Sequence, residues 1–284
     1  GRASAQGVPL ASIVADLCAR GGLELSDINV NKLTASLPGY VLGRQATIRA
    51  ALEPLAQAFF FDGVESDDRL AFRTRGRAPA LTLSPEHLLR LEAPSGVAPS
   101  GASSSGETWR ERRAQEVDLP ARVNILYMDC AAEYAQGTQT ARRVASPVPT
   151  MASRNALTLE LPMALTAGMA KSIAVRLLYT AWAERSTYEA RLPSDYLRLE
   201  PTDVVALTLP CGASHVARLE RVDLGADLSL AIQARAQEVA EYASELTADG
   251  GMGRPVQTVD LAAQTQLFLP DLPLLRDIDD PGRT

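Results

Sequence analysis

The sequence predicts an α+β chain: a small helix-plus-hairpin domain, then an antiparallel β-barrel or curled sheet that carries one inserted long helix. Three patterns predict it. Apolar residues recur at helical spacing only near residues 10–18, 48–59 and 166–185. Period-two alternation dominates after residue 109. A run of small and polar residues, 93–106, separates the two regimes.

The first helix is marked by Leu10, Ile13, Val14, Leu17 and Cys18 on one face, with Pro9 suited to its first turn and Gly21-Gly22 to its end. A second starts after Thr47, a good N-cap, with the stripe Ile48, Ala51, Leu52, Leu55 and Phe59. Pro54 inside it is expected to kink it or to mark its true first turn. Phe59-Phe60-Phe61, a polar stretch 62–69 and Leu70-Ala71-Phe72-Arg73 read as a hairpin with a long connection. Beyond the linker, strands are signalled by Val123/Ile125/Tyr127, Leu157/Leu159/Leu161, Tyr188/Ala190/Leu192, Val204 to Leu209, and Leu228/Leu230/Ile232/Ala234. The long helix, about 166–185, presents Ala170, Ile173, Ala174, Leu177 and Ala181. The expected division is 8–92, a linker 93–108, 109–245, and a last segment 246–284 holding the glycine loop 249–253 and a strand 266–269.

Composition excludes several function classes. A net charge of −6 and a pI near 5.1 argue against a dedicated nucleic-acid binder. No apolar run approaches the roughly 20 residues of a membrane span. Cys18, Cys130 and Cys211 are far apart and form no CxxC pair, so they read as small hydrophobes. His87 and His215 lie in different regions and lack companion ligands for zinc. Ser214 beside His215 is a sequence neighbour rather than a nucleophile reached across a fold. The carboxylate pairs Asp67-Asp68, Asp129/Glu133 and Asp279-Asp280 read as solvated turn residues. The stretch from Asp62 to Asp68 lacks the ligand order of a calcium loop and reads as an acidic hairpin tip. Trp109 and Trp182 fit either an interface anchor or a packed wall. The expectation is a non-enzyme with no catalytic, cofactor-binding or metal residues. The missing initial Met, and an end close behind the apolar segment 267–275, read as a piece cut from a longer protein.

Five stretches carry a resemblance. They are Ile13 to Cys18 with Gly22-Leu23 and Leu37-Pro38-Gly39-Tyr40; Ala51 to Phe61 with Leu70 to Arg73; Asp118 to Val123 with Tyr127, Asp129, Tyr134 and Ala141-Arg142; Leu161-Pro162-Met163 with the Ala-rich helix to Arg185; and Leu199 to Val205. In this order they resemble the phage tail hub region of the large tail-tip (host-specificity) proteins of gene transfer agents and related siphophages. More distantly, they are similar to phage late-control proteins and type VI secretion spike hubs. In that family a Gly usually precedes Asp203; Thr202 departs from it and is expected to change the turn. The resemblance implies a tail-tube-like barrel and a homotrimer. It also implies contacts with distal tail tube and tail-tip proteins, a channel that DNA crosses only in transit, assembly in the bacterial cytoplasm and residence at the tail tip. Receptor or carbohydrate binding is the alternative, and a cell-wall hydrolase the second. With 5% aromatic residues the sequence disfavours the former.

Overall fold

The apolar face of the first helix is buried: Leu10, Val14, Leu17 and Cys18 of α1 (Leu10–Arg20) are covered, while Gly22 leaves the helix at φ +91°. The computed structural model describes residues 7–43, 45–91, 108–144, 153–208 and 212–243. All of them fall in the unit Gly1–Gly251; the unit Met252–Thr284 lies outside the described residues. So do the run 93–106, Cys211, the glycine loop and the expected last strand.

Helix α2 (Ile48–Phe59) starts where the cap predicts, with Thr47 Oγ1 accepting from the Ala50 amide at 3.3 Å. The helix runs through Pro54, which therefore does not mark its first turn. The three consecutive phenylalanines then take three roles. Phe59 ends α2, Phe60 caps it in the left-handed region at φ 52°, and Phe61 opens a strand.

That strand, β5 (Phe61–Ser66), pairs with β6 (Arg69–Thr74) in register Ser66↔Arg69. Only Asp67 and Asp68 form the turn, at φ 52° and 57°. The expected long connection is thus a two-residue hairpin turn, because Asp tolerates the left-handed conformation that such a turn needs. Short strands at the chain start complete this region: β1 (Val8–Pro9) pairs with β3 (Ser36–Leu37), and β2 (Ile28–Asn29) runs parallel to β6.

A four-stranded sheet has the order β10-β9-β11-β4, formed by β4 (Gly39–Tyr40), β9 (Arg122–Asp129), β10 (Ala135–Arg142) and β11 (Ala156–Leu165). Strand β10 returns antiparallel to the start of β9, and β11 sets out from that same end, so β11 runs parallel to β9. Pro162 falls where the β9–β11 ladder is interrupted, the tolerated place for a residue without an N–H. Helix α3 (Ala167–Ala183), the expected long helix, packs over β9 and β10. One apolar cluster joins α1, α2 and the hairpin to this sheet and α3, through Leu17, Leu55, Phe61, Phe72, Ile125, Leu161, Met163 and Leu178 among others. Leu157, expected in the core, is 45% exposed: only the second half of β11 turns inward.

The second sheet has the order β7-β13-β14-β15-β12-β8. Its strands are β7 (Leu81–Leu83), β8 (Trp109–Arg113), β12 (Ser186–Leu192), β13 (Val204–Thr208), β14 (Ser214–Leu224) and β15 (Leu230–Ala236). Chain connectivity forces this sheet to curl. Leu83 lies at one edge beside Leu207, and Leu89, six residues on, bridges to Arg191 of β12 from its outer side, the side taken by β8 at the opposite edge. Six extended residues reach at most about 21 Å, and the turn Pro85–His87 shortens the path. A flat six-stranded sheet would separate those edges by about 24 Å. The inward residues Leu83, Tyr188, Leu192, Val205, Leu207, Leu219, Leu230 and Ile232 form a second core within the curl. Leu228, expected in β15, instead occupies a turn at φ 62°. Helix α4 (Val239–Ala243) follows β15.

The α+β class and the curled sheet agree with the sequence. The long helix serves the four-stranded sheet instead of the curled one, and β9–β11 and β7–β13 are parallel where antiparallel pairing was expected.

Candidate functional site

The residues that the sequence singled out for chemistry are scattered. His87 Nδ1 accepts from the Ser84 amide at 3.2 Å and caps a short turn. His215 sits in β14 opposite Leu207, its ring 5.7 Å from that of Tyr188, and Ser214 beside it pairs with Thr208. Asp67 and Asp68 form the hairpin turn. Asp129 caps the β9–β10 turn by accepting from the Ala131 amide at 2.8 Å, and Glu133 sits in that turn at φ 53°. Cys18 is buried in the first core, and Cys130 donates to the Leu165 carbonyl. Asp279 and Asp280 lie outside the described residues. Among the described residues no group of three His, Cys, Asp or Glu side chains is placed to hold a metal, and no helix is long and apolar enough to cross a membrane.

A groove of about 620 Å³ runs past Trp182, Tyr188 and His215. Its rings are not displayed as a stacking platform. Trp182 and Tyr188 are buried, Trp182 Nε1 donates to the Pro120 carbonyl at 2.8 Å, and the Arg143 guanidinium covers the indole at 3.5 Å. Trp109 packs against the second core, 6.2 Å from Tyr188.

What the fold does bring together is a seam of charges between the two cores. The hairpin supplies Asp62 and Arg73, and the residues after it Arg75 and Arg77; phenyl groups Phe61 and Phe72 point into the first core. The curled sheet answers with Arg218 and Glu220 on β14, Arg235 on β15, and Glu200 and Asp203 before β13. Glu184, which follows α3, enters from the side.

Arg218 is the centre. Its side chain is 7% exposed, and it meets Asp62 at 3.0 Å, Glu184 at 3.5 Å and Glu220 at 3.7 Å. Arg75 grips Asp62 through Nε at 2.9 Å and Nη2 at 2.7 Å. Arg235 lies 2.8 Å from Glu220. Three acids thus face three guanidinium groups, which balances the charge that burial would otherwise penalise. A second group adjoins it: Arg73 binds Glu200 at 2.7 Å and Asp203 at 2.9 Å, and Arg77 donates to the Thr202 carbonyl at 2.5 Å.

Tyr242 closes the seam. Its hydroxyl donates to Glu184 at 2.5 Å, and its ring stands edge-on to Phe60 at 5.6 Å. Burial first, then the Glu184 charge, push its pKa far above the ordinary range. Burial opposes the charge of Arg75, yet the hydrogen bond and charge of Asp62 outweigh it and raise the Arg75 pKa.

Thr202 shows what its departure from glycine costs. It holds φ +77°, a conformation that glycine adopts freely. The turn at Thr202 is thus one that glycine would adopt without strain. The backbone is fixed from both sides: the Thr202 amide donates to the Leu219 carbonyl at 2.7 Å, and its carbonyl accepts from Arg77. Its buried Oγ1 has no hydrogen-bond partner. Sequence reasoning flagged this position but missed the seam, whose ion-pair partners lie up to 156 residues apart.

Two outcomes follow from this geometry. Arg218→Ala leaves three acids facing only two guanidinium groups and takes the nearer cation from Glu184, so urea unfolding should show a loss of about 3 kcal/mol. Thr202→Gly relieves a left-handed β-branched residue and an unpaired hydroxyl, so it should raise stability by about 1 kcal/mol by the same measurement.

Comparison with known proteins places this arrangement. A chain of the virion of a native gene transfer agent particle has a TM-score of 0.71 and 29% identity, over 87% of this chain and 53% of that one. The chain thus spans about half the length of that virion chain. The tail protein from Neisseria meningitidis MC58 shares the fold, with a TM-score of 0.53 and 14% identity, over 85% of this chain and 70% of that one. No curated protein sequence matches significantly. Residues 47–222 match the phage tail protein family Phage-tail_3, a span that takes in α2, the hairpin, most strands of both sheets and most of the seam, and the chain belongs to that family.

Proposed function

We propose that this chain is a structural, non-catalytic hub component of the tail tip of a phage or phage-like particle. It joins the tail tube to the tip as a homotrimer around a central channel that DNA crosses only in transit. Its partners are copies of itself, distal tail tube proteins and tail-tip proteins, and it is assembled in the bacterial cytoplasm. The observation that carries the reading is the likeness to the gene transfer agent virion chain across most of this chain.

Two features of the fold support an assembly role. The ion pairs of the seam fix distance and direction between the two cores, as a joint between tube and tip would need. The four-stranded sheet also leaves two edges without a strand partner among the described residues: all of β10, and Ala156–Glu160 of β11, since β4 pairs only with Met163 and Ala164. Strand β10 carries no proline and one charge, Arg142, and Lys171 covers one of its carbonyls, that of Thr140, so its edge is only partly protected. In a rotationally symmetric ring, β10 of one copy meets β11 of the next in antiparallel orientation, and head-to-tail contacts of this kind close into rings. Segment 109–245 then supplies the ring-forming strands.

The test is a pair of variants in purified particles, Thr138→Pro and Gln139→Pro. Neighbouring residues on an edge strand point their N–H groups alternately inward and outward, so one of the two spares the β9–β10 ladder. Electron microscopy should then find particles without tail tips while that variant chain remains folded by circular dichroism. Normal tips containing both variants would contradict the reading.

A further inference from the structure

A recess of about 450 Å³ lies beside the hairpin, lined by Lys32, Arg69, Arg73 and Arg77 with Asp67 as the one acid. Four cations around one cavity stand out in a chain of net charge −6. Arg73 is already committed to Glu200 and Asp203. Lys32 and Arg69 are exposed and have no ion-pair partner among the described residues. Arg77 spends one amino group on a neutral acceptor, the Thr202 carbonyl, and its buried Nε has no acceptor. Burial, then the neighbouring Arg73 charge, lower the Arg77 pKa. A positive group held at such a cost gains most from an incoming anion.

We propose that this recess receives an acidic side chain, Asp or Glu, of an abutting protein. The inference rests on reading the chain as an assembly component. The recess is wide enough to admit a carboxylate side chain together with bridging water. The hairpin tip beside it exposes Glu65, Asp67 and Asp68, which admit one carboxylate between cations but repel the continuous charge of a nucleic-acid backbone. Lys32 and Arg69 draw the carboxylate in, and Arg77 supplies planar donors at the base.

The probe is a capped hexaglutamate peptide titrated at low salt into the isotope-labelled chain, followed by amide chemical shifts. Saturable shifts should centre on Lys32, Ser66 and Arg69. The double variant Lys32→Ala/Arg69→Ala should bind roughly tenfold more weakly with an unchanged thermal midpoint. A hexathymidylate arm should bind more weakly than the peptide. No saturation at the recess, equal binding by the double variant, or tighter binding of the oligonucleotide there would each overturn the proposal. Ring assembly is not needed for this readout. Peptide binding without rings would leave this site standing and remove only the hub reading.

Discussion

Arg218 enters the space between two hydrophobic cores and meets carboxylates from both sides of it: Asp62 from the hairpin, Glu184 from the end of α3, and Glu220 from its own strand. Each core closes on itself with apolar residues, and neither needs the other for that. Their relative placement depends on the charges between them. An apolar contact tolerates sliding, whereas bidentate and multi-partner guanidinium contacts fix distance and direction together. The cost is desolvation, and the equal numbers of acids and guanidinium groups keep it within bounds. Tyr242 and Gln237 extend the seam beyond the ions; Gln237 accepts from the Gly76 amide at 3.3 Å and donates to the Arg77 carbonyl at 3.0 Å.

This division of labour suits a member of a tail protein family. A component that passes force or register along a particle needs stiffness within the subunit and adhesive surfaces between subunits. The seam supplies the first. The open edges of β10 and β11, and the cationic recess beside the hairpin, lie on the surface. Thr202 shows where stiffness is maintained at local expense: its strained backbone is held by Leu219 on one side and Arg77 on the other.

Much of the fold was legible in the sequence where local chemistry decides it. The faces of α1 and α2 and the Thr47 cap followed from spacing and side-chain type. Strands β9, β12 and β15 announced themselves by alternation, because one face of each is buried. Strands β8 and β10 did not. Of the residues of β10 only Ala141 is buried, and its order comes from backbone pairing with β9, which leaves no pattern in side chains. The curl of the second sheet was legible only as a class; its cause is the short link from Leu83 to Leu89. The seam was illegible because each of its charges, taken alone, reads as a solvated residue, and Asp62 in particular reads as part of an acidic loop. His87 and His215 stand in different elements, and Asp67-Asp68 and Asp129/Glu133 lie at turns.

The central claim is that the seam makes two cores unfold as one. The two tryptophans report on them separately, Trp182 in the first core and Trp109 against the second. Urea unfolding of Trp109→Phe and of Trp182→Phe, each followed by the fluorescence of the remaining indole and by far-ultraviolet circular dichroism, tests it directly. The account predicts that in each variant the two signals share one midpoint. In either variant, a fluorescence midpoint displaced from the dichroism midpoint would mean that one core melts while the other stands, and would contradict it.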